Sequence, residues 1–248
     1  METQFSRTER IMGKYFIKKL SSCRVAVFGV GGVGGYVAEA LVRSGIGAID
    51  LIDNDTVALS NINRQIIATH STLGISKVDA AANRILDINP DIKITKHKIF
   101  YLPDSEYKFD FSKYDYIIDA IDTVSAKIDL IEKANSIGTP IISAMGCGNR
   151  FDPTKLTITD IYRTEMDPLA KVMRKELRNS GISKLKVVYS TEPPLKPIDF
   201  DNEDVISTED KSESQPVRKS VPGSTAFVPA TAGLIIAAEV AKDLTNGK

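Results

Sequence analysis

The chain is poor in the residues that stabilise small secreted scaffolds or bind zinc. Its 248 residues include no tryptophan, two cysteines (Cys23 and Cys147) and two histidines (His70 and His97). Two thiols cannot build a disulfide framework or a four-thiolate zinc site, and the histidines are not spaced as metal ligands, so we expect no zinc. A chain of this length can bury a sizeable core without such aids.

The sequence also lacks long hydrophobic runs and an excess of charge of either sign. Lys+Arg and Asp+Glu both number 32, which excludes a polycation of the histone kind but leaves room for a local basic face. The apolar stretch Ala226–Ala238 is well short of the ~20 residues of a membrane span. The start of the chain is charged and has no signal-peptide core. We therefore expect a cytoplasmic protein with no membrane span.

Short β-branched runs alternate with helical periodicities along the chain. Strands are predicted at 24–30, 48–53, 92–98, 116–120, 139–144, 155–161 and 186–190, and helices at 32–44, 76–86, 124–136, 168–179 and 227–244. Strand–helix–strand repetition with short connections implies a parallel sheet covered on both faces. We predict an α/β fold: a Rossmann-like doubly wound, mostly parallel sheet with helices on both faces and an antiparallel extension in the C-terminal part.

A glycine-rich turn joins the first predicted strand to the first predicted helix. Gly29, Gly31 and Gly34 fit the pattern G-x-G-x-x-G, in which backbone N–H groups and a helix N-terminus can approach a phosphate. Asp53 closes the next strand, where a ribose hydroxyl would be bound. This context predicts an adenine nucleotide, with a tight turn without ligand as the alternative. These residues alone do not distinguish NAD from ATP.

Charged residues further along favour a triphosphate. Arg64 lies in the segment SNINRQ (60–65), and Lys77 begins the next predicted helix. A dinucleotide pyrophosphate is held largely by backbone dipoles, whereas a triphosphate needs Arg, Lys and a metal to balance its charge. Asp122, just past a strand end, could hold magnesium. Each cation alone could be a solvated surface residue and Asp122 could cap the following helix, but together they favour ATP.

The order of these motifs resembles that of a known superfamily. GVGGVG (29–34), LIDND (51–55), SNINRQ (60–65), ISK (75–77) and IDAID (118–122) are similar to motifs of the ubiquitin-activating-type (ThiF, MoeB and HesA) adenylating enzymes. The resemblance implies ATP and Mg²⁺, with Arg64, Lys77 and Asp122 in catalysis and Asp122 as the magnesium ligand. It implies the following nucleotide-binding residues: Gly29, Gly31, Gly32, Gly34, Asp53, Asp55, Asn61, Arg64, Gln65 and Lys77.

The same resemblance implies a homodimer in which an N-terminal arginine reaches the nucleotide of the partner subunit. Arg7 matches this nucleotide-contacting residue best, and Arg10 is the alternative. An exposed residue on a frayed terminus would explain either arginine equally well.

Motifs in the second half resemble one branch, the tRNA threonylcarbamoyladenosine dehydratases. They are AMGCGN (144–149), DP (152–153), DPLA (167–170), RKELR (174–178), KLKVVYSTE (184–192) and PGSTAFVPA (222–230). The branch implies ATP-dependent dehydration of threonylcarbamoyladenosine in tRNA, by adenylation of the threonine carboxylate and intramolecular ring closure. Sulfur-transfer partners, which some relatives keep, stay open.

Three other functions compete with this interpretation. The first is adenylation of the C-terminal carboxylate of a ubiquitin-like sulfur-carrier protein, although the two Cys-x-x-Cys pairs typical of such enzymes are absent. The second is an NAD-dependent oxidoreductase that uses the same glycine turn, and the third is a non-catalytic nucleotide-sensing scaffold. Cys147, in a glycine-rich loop, is expected to be a small packing residue, with a nucleophilic role as the alternative.

A run of basic residues is the candidate surface for tRNA. The candidates are Lys171, Arg174, Lys175 and Arg178 on a predicted helix, followed by Lys184 and Lys186. A solvated helix face is an equally good explanation, but a compensating acidic excess lies elsewhere, at Asp199–Glu213, which favours a basic stripe.

We expect a single adenylating-enzyme domain over residues 1–248. Its nucleotide-binding half is predicted at 1–150 and its substrate and dimer half at 151–248. Residues 193–222 are rich in Pro, Ser, Asp, Glu and Lys with few large apolar side chains. Such a segment cannot bury enough surface to offset its ordering entropy, so a mobile insert is predicted near 196–222.

Overall fold

Seven strands form one sheet in the computed structural model, which describes residues 2–103, 109–198 and 222–245. The strands are β1 (Arg24–Phe28), β2 (Ala48–Ile52), β3 (Lys93–His97), β4 (Tyr116–Asp119), β5 (Ile141–Ala144), β6 (Leu156–Asp160) and β7 (Lys186–Ser190). The helices are α1 (Ser6–Met12), α2 (Lys14–Leu20), α3 (Gly34–Arg43), α4 (Lys77–Ile88), α5 (Val124–Ile137), α6 (Pro168–Asn179) and α7 (Phe227–Leu244).

The strand order is β3-β2-β1-β4-β5-β7-β6. Every neighbouring pair is parallel except β6 and β7, which are antiparallel. The chain leaves β1 towards β2 on one side and returns to β4 on the other, so the sheet has a topological switch point between β1 and β4. The predicted doubly wound α/β fold with an antiparallel extension is confirmed.

The predicted strands and helices from 24 onwards are present, with ends that differ by a few residues. The strands of the centre are buried because helices cover both faces: Val25 to Phe28 of β1 have no exposed surface. Two short helices at the N-terminus were not predicted; α1 buries no residue, and α2 buries Phe16 and Leu20. The predicted insert near 196–222 and the acidic stretch 199–213 fall largely or wholly outside the described residues.

Helix α7 packs against α3 at very short distance. A Cβ built on Gly233 of α7 would lie 2.5 Å from the Val33 carbonyl oxygen and 2.7 Å from the Tyr36 Cβ, so a side chain at this position would collide with α3. This contact places the first turn of α7, with Pro229, over the glycine turn. Among the described residues, no helix is long and apolar enough to cross a membrane.

A buried carboxylate links the first three strands. Asp50 of β2 is 1% exposed, and its oxygens accept hydrogen bonds from Arg24 Nε and Nη2 at 2.9 and 3.0 Å. Its Oδ2 also accepts from the Tyr114 hydroxyl and contacts His97 Nε2, both at 2.9 Å. Burial alone would raise the pKa of Asp50, but these hydrogen bonds together outweigh it and hold the pKa below its usual value.

Replacing Asp50 with asparagine is expected to reduce the free energy of unfolding at neutral pH by about 3 kcal/mol, because one partner of a buried charged network is removed. A carboxylate with a lowered native pKa stabilises the fold above its unfolded pKa of 3.8 and loses this contribution as pH falls through the native value. Urea unfolding should therefore show a difference from wild type that shrinks below about pH 4. Asp91→Asn, at an exposed position, is the control; an equal effect there would contradict the assignment.

Candidate active site

A cleft of about 660 Å³ opens at the carboxyl ends of β1, β2, β4 and β5. Its walls are the glycine turn after β1, the segment after β2, the start of α5, the loop after β5 and the residues leading into α7. Open α/β sheets bind ligands at this position, beside the switch point of the strand order. The cleft therefore lies where the sequence predicts the nucleotide.

The glycine turn needs glycine at two positions for structural reasons. Gly29 has φ +88°, and a Cβ there would lie 2.5 Å from the Ala120 carbonyl oxygen. A Cβ on Gly34 would lie 1.9 Å from the Gly29 carbonyl oxygen. These two residues shape the turn between β1 and α3, and neither needs a ligand to explain it.

Gly31 and Gly32 line the cleft, as Gly29 also does, whereas the predicted nucleotide-binding residue Gly34 is not part of the lining. A Cβ on Gly31 would meet only Gln65 Nε2, at 3.9 Å, so open space adjoins this backbone on the cleft side. A Cβ on Gly32 would lie 3.2 Å from Pro229 and 3.5 Å from Arg64 Cγ. The backbone of this turn thus adjoins free volume large enough for a phosphate to approach it.

Arg64 brings a positive charge to this wall of the cleft. Its Nη1 donates to the Ser60 carbonyl oxygen at 2.8 Å and to Asn63 Oδ1 at 3.0 Å, which orient the side chain. No acidic side chain among the described residues forms an ion pair with it. The guanidinium therefore keeps donors and an unneutralised charge for an anion in the cleft.

Lys77 is the second cation, and it is held by two aspartates. The residue is 7% exposed, and its Nζ lies 2.6 Å from Asp55 Oδ2 and 3.9 Å from Asp53 Oδ1. Asp53 Oδ2 accepts a hydrogen bond from the Val30 N–H at 2.8 Å, and Oδ1 accepts from the Asp55 N–H at 2.9 Å. Asp53 thus supports the glycine turn itself, while its remaining lone pairs are available to a ribose.

Asp122 follows the carboxyl end of β4 and lines the cleft. Its side chain is exposed and accepts no hydrogen bond or ion pair from a described residue. The N-cap of α5 is Thr123, so the alternative in which Asp122 caps this helix does not hold. A carboxylate without a partner in the described part of the chain suits magnesium, which binds through one or two carboxylates together with phosphate oxygens and seldom uses an all-protein cage. The described residues contain no group of three or more His, Cys, Asp and Glu placed to hold a metal.

Asn61 and Gln65 also line the cleft. Asn61 Oδ1 accepts a hydrogen bond from the Ala58 N–H at 3.1 Å and so closes the turn that carries Arg64. Gln65 is 6% exposed, and its Oε1 has no partner among the described residues. An unpaired buried acceptor is costly, and a ligand hydroxyl or water in the cleft would relieve that cost.

Cys147 lies in the loop after β5 and lines the cleft. Burial, with a smaller contribution from Asp167, raises the pKa of its thiol to about 12. At neutral pH such a thiol carries almost no thiolate, the nucleophilic form. The raised pKa of this buried thiol favours the packing role over the covalent one.

The structure does not bring every predicted residue into this cleft. Arg7 and Arg10 are exposed on α1 and are not part of its lining, so their predicted contact would have to be with another subunit's nucleotide. Helix α6, by contrast, starts at the cleft, since Leu169 belongs to its wall.

The basic candidates on and after α6 differ in how available their charges are. Lys171, Lys175, Arg178 and Lys184 are exposed, and none of them forms an ion pair with a described residue. Arg174 is half-buried and donates to Thr164. Lys186, in β7, lies 2.7 Å from both Glu239 and Asp243, so its charge is already neutralised.

Two buried charged pairs beside the cleft were missed by the sequence analysis. Lys127 of α5 pairs with Asp119, and Arg150 pairs with Asp167, all four side chains being almost fully buried. Lys127 could have been noticed, because it stands among the apolar residues Ala126, Leu130 and Ile131 that share the buried face of α5. The pairing of Arg150 with Asp167 has no comparable signal in the sequence.

The fold and cleft define a nucleotide-binding α/β protein whose site combines a glycine turn, two cations and a free carboxylate. Residues 5–248 match the model of the ThiF family, and the chain belongs to that family. The predicted resemblance is thereby confirmed, and the chain is an enzyme of this family.

Within this family, the chain is similar to proteins of one named kind. It is 44% identical to a tRNA threonylcarbamoyladenosine dehydratase of Bacillus subtilis over 244 residues, which cover 97% of this chain and 94% of that protein. The corresponding protein of Escherichia coli is 38% identical over 202 residues, covering 78% and 75%. The crystal structure of the E. coli enzyme, TcdA, in complex with ATP superimposes with a TM-score of 0.85 at 33% identity, covering 98% of this chain and 94% of that one.

Proposed function

We propose that the chain catalyses the ATP-dependent dehydration of threonylcarbamoyladenosine in tRNA to its cyclic form. The observation that carries the proposal is the cleft, in which Arg64, Lys77 and the free Asp122 surround the glycine turn. The relatives support the substrate, because the dehydratases of B. subtilis and E. coli match this chain along most of its length. ATP as the cosubstrate is supported by the complexes of TcdA with ATP and with AMP.

In the first step, an oxygen of the threonine carboxylate attacks the α-phosphorus of ATP. The bond to the bridging oxygen of the β-phosphate breaks, pyrophosphate leaves with the electron pair, and an acyl-adenylate forms. Arg64 and Lys77 would stabilise the negative charge that moves onto the phosphate oxygens, and the Gly31 and Gly32 backbone allows the phosphates to come close. Asp53 and Gln65 would bind the ribose side of the nucleotide.

In the second step, the neighbouring carbamoyl group closes on the activated carbonyl carbon. A five-membered ring forms, a proton leaves the nucleophile, and AMP departs with the former carboxylate oxygen. The substrate thus loses the atoms of one water in two easier steps. Because the nucleophile belongs to the same molecule, its effective concentration is high, and no enzyme thiol has to carry the acyl group. The raised pKa of Cys147 agrees with this.

Asp122 would hold magnesium together with the phosphate oxygens of ATP. When bound there, magnesium supplies charge neutralisation and in-line orientation of the leaving pyrophosphate. The cleft lining carries two cations, Arg64 and Lys77, and three carboxylates, those of Asp53, Asp55 and Asp122. The two cations therefore do not balance a bound triphosphate, and a divalent cation would supply the missing positive charge.

Lys171, Lys175 and Arg178 recur on one face of α6, which begins at the cleft, and Lys184 follows the helix. These four residues are the part of the basic set that we propose to contact tRNA phosphates, because they are exposed and form no ion pair with a described residue. The Arg178 guanidinium also lies 5.1 Å from the centre of the Tyr162 ring. A tRNA substrate would place the activity in the cytoplasm.

We also propose a homodimer in which Arg7, or Arg10, reaches the nucleotide of the partner subunit. Sulfur-transfer partners stay a prediction.

Incubation with tRNA that carries threonylcarbamoyladenosine, ATP and Mg²⁺ is expected to convert this nucleoside to a product lighter by one water. Mass spectrometry of the digested tRNA measures the product, and omission of ATP is the control. Unchanged nucleosides, combined with pyrophosphate exchange that depends on a small protein ending in Gly-Gly, would instead support adenylation of a sulfur carrier. Tight NADH binding without ATP binding would contradict both.

A further inference from the structure

The carboxyl ends of β4 and β5 are tied together by one buried ammonium group. Lys127 has no exposed surface, and its Nζ lies 3.0 Å from Asp119 Oδ2. It also donates to the Ile121 carbonyl oxygen at 3.1 Å and to the Ala144 carbonyl oxygen at 2.9 Å. An ammonium group has three donors, and these three acceptors use all of them.

We infer that Lys127 is a positioning residue, which holds the backbone that carries Asp122 in the position from which its carboxylate can bind magnesium with ATP. Ile121 directly precedes Asp122, and Ala144 directly precedes the loop 145–148 on the facing wall of the cleft. The ammonium group therefore fixes the carbonyl groups of the residues that directly precede Asp122 on one wall of the cleft and the loop 145–148 on the other. The inference rests on the proposed role of Asp122.

The remaining contacts of Asp119 serve the same strand ends. Its Oδ2 accepts a hydrogen bond from the Ser143 hydroxyl of β5 at 2.5 Å, and its Oδ1 accepts from the Ile121 N–H at 3.2 Å. Asp119 thus bonds to the residue before Asp122 and to the neighbouring strand, while Lys127 completes the ring of contacts from α5. The contacts of Lys127 and Asp119 thus reach either the segment that carries Asp122 or the neighbouring strand β5.

A buried ion pair is weak evidence for a purely stabilising role. Removing two charges from water is expensive, and an apolar pair of similar volume is often as stable as a buried ion pair. The ion pair also fixes geometry, because an ammonium group that donates to two carbonyl groups sets their separation and orientation. Partners that orient a metal ligand commonly affect metal affinity strongly.

The test compares ATP binding with and without magnesium by calorimetry, using Lys127→Met/Asp119→Asn. The double variant removes both charges together, and the asparagine amide can still donate to the Ser143 hydroxyl. We expect AMP affinity in EDTA to stay within about threefold of wild type, whereas the gain in ATP affinity on adding Mg²⁺ falls about tenfold. The exposed pair Lys113 and Asp110, altered to methionine and asparagine, is the matched control and should keep the full gain.

Each outcome of this experiment bears on the inference. A full magnesium gain in the double variant, or an equal loss of AMP and Mg·ATP affinity, would overturn it, because the pair would then be dispensable or merely structural. Asp122→Asn separates the two proposals. In wild type, Mg²⁺ should increase ATP affinity, and Asp122→Asn should remove this increase. If it does not, the proposed metal role of Asp122 is wrong, and the inference about Lys127 fails with it. Should methionine prevent folding, Lys127→Gln/Asp119→Asn replaces it with the same expected results.

Discussion

Asp122→Ala is expected to lower the rate of AMP formation at least about a hundredfold, because it removes the carboxylate that we propose to hold the charge-neutralising metal in the transition state. Folding should be unaffected, since the side chain is exposed and bonds to no described residue. The loss should therefore appear in kcat, with a circular dichroism spectrum and an unfolding midpoint like those of wild type.

The measurement is single-turnover conversion of ATP to AMP with substrate tRNA in the presence of Mg²⁺. Asp91→Ala removes another exposed carboxylate, outside the cleft lining, and should react at the wild-type rate. Turnover of Asp122→Ala within a few-fold of wild type would remove Asp122 from the proposed mechanism.

Arg64→Ala is expected to reduce kcat/KM for ATP by about a hundredfold or more, through loss of a charged donor to the phosphates as negative charge shifts onto them. The guanidinium is oriented by Ser60 and Asn63 and is neutralised by no described acidic side chain, so its charge is available to the nucleotide. Among the described residues that line the cleft, Lys77 is the other cation, and part of its charge is already balanced by Asp55.

Steady-state pyrophosphate release over a range of ATP concentrations separates kcat from KM. Arg64→Lys should recover part of the activity, because it keeps the charge and loses the planar pair of donors. If Arg64→Ala raised KM alone and left kcat intact, the residue would contribute to binding without stabilising the transition state.

The fold could be predicted from local sequence patterns because the spacing of apolar residues reflects which face of each strand or helix is buried. The strand at Arg24–Phe28 reads as apolar since both faces of the central sheet are covered, and the glycines at 29 and 34 are required by backbone clashes within the turn. Helix α1 was not predicted because it buries nothing, so no apolar periodicity marks it, and the seven-residue helix α2 buries only Phe16 and Leu20.

Parts of the site were less accessible to this reasoning. The sequence suggested Lys77 as a phosphate contact but not its contact with Asp55, which depends on how the segment after β2 folds back onto α4. Likewise, Lys186 and the exposed Lys171 look alike in a basic run, and only the packing of α7 against β7 shows that Lys186 already has acidic partners.

By itself, the sequence determined the order of strands and helices from residue 24 onwards, the glycine turn and the identity of the charged residues that could contact a nucleotide. These features depend on periodicity and spacing along the chain. Tertiary structure decided which of those charges are free, which are paired, and that Lys127 joins the ends of β4 and β5 beneath Asp122. The reason is that the availability of a charge depends on neighbours from distant parts of the chain, and a pattern of residues does not carry the distances between them.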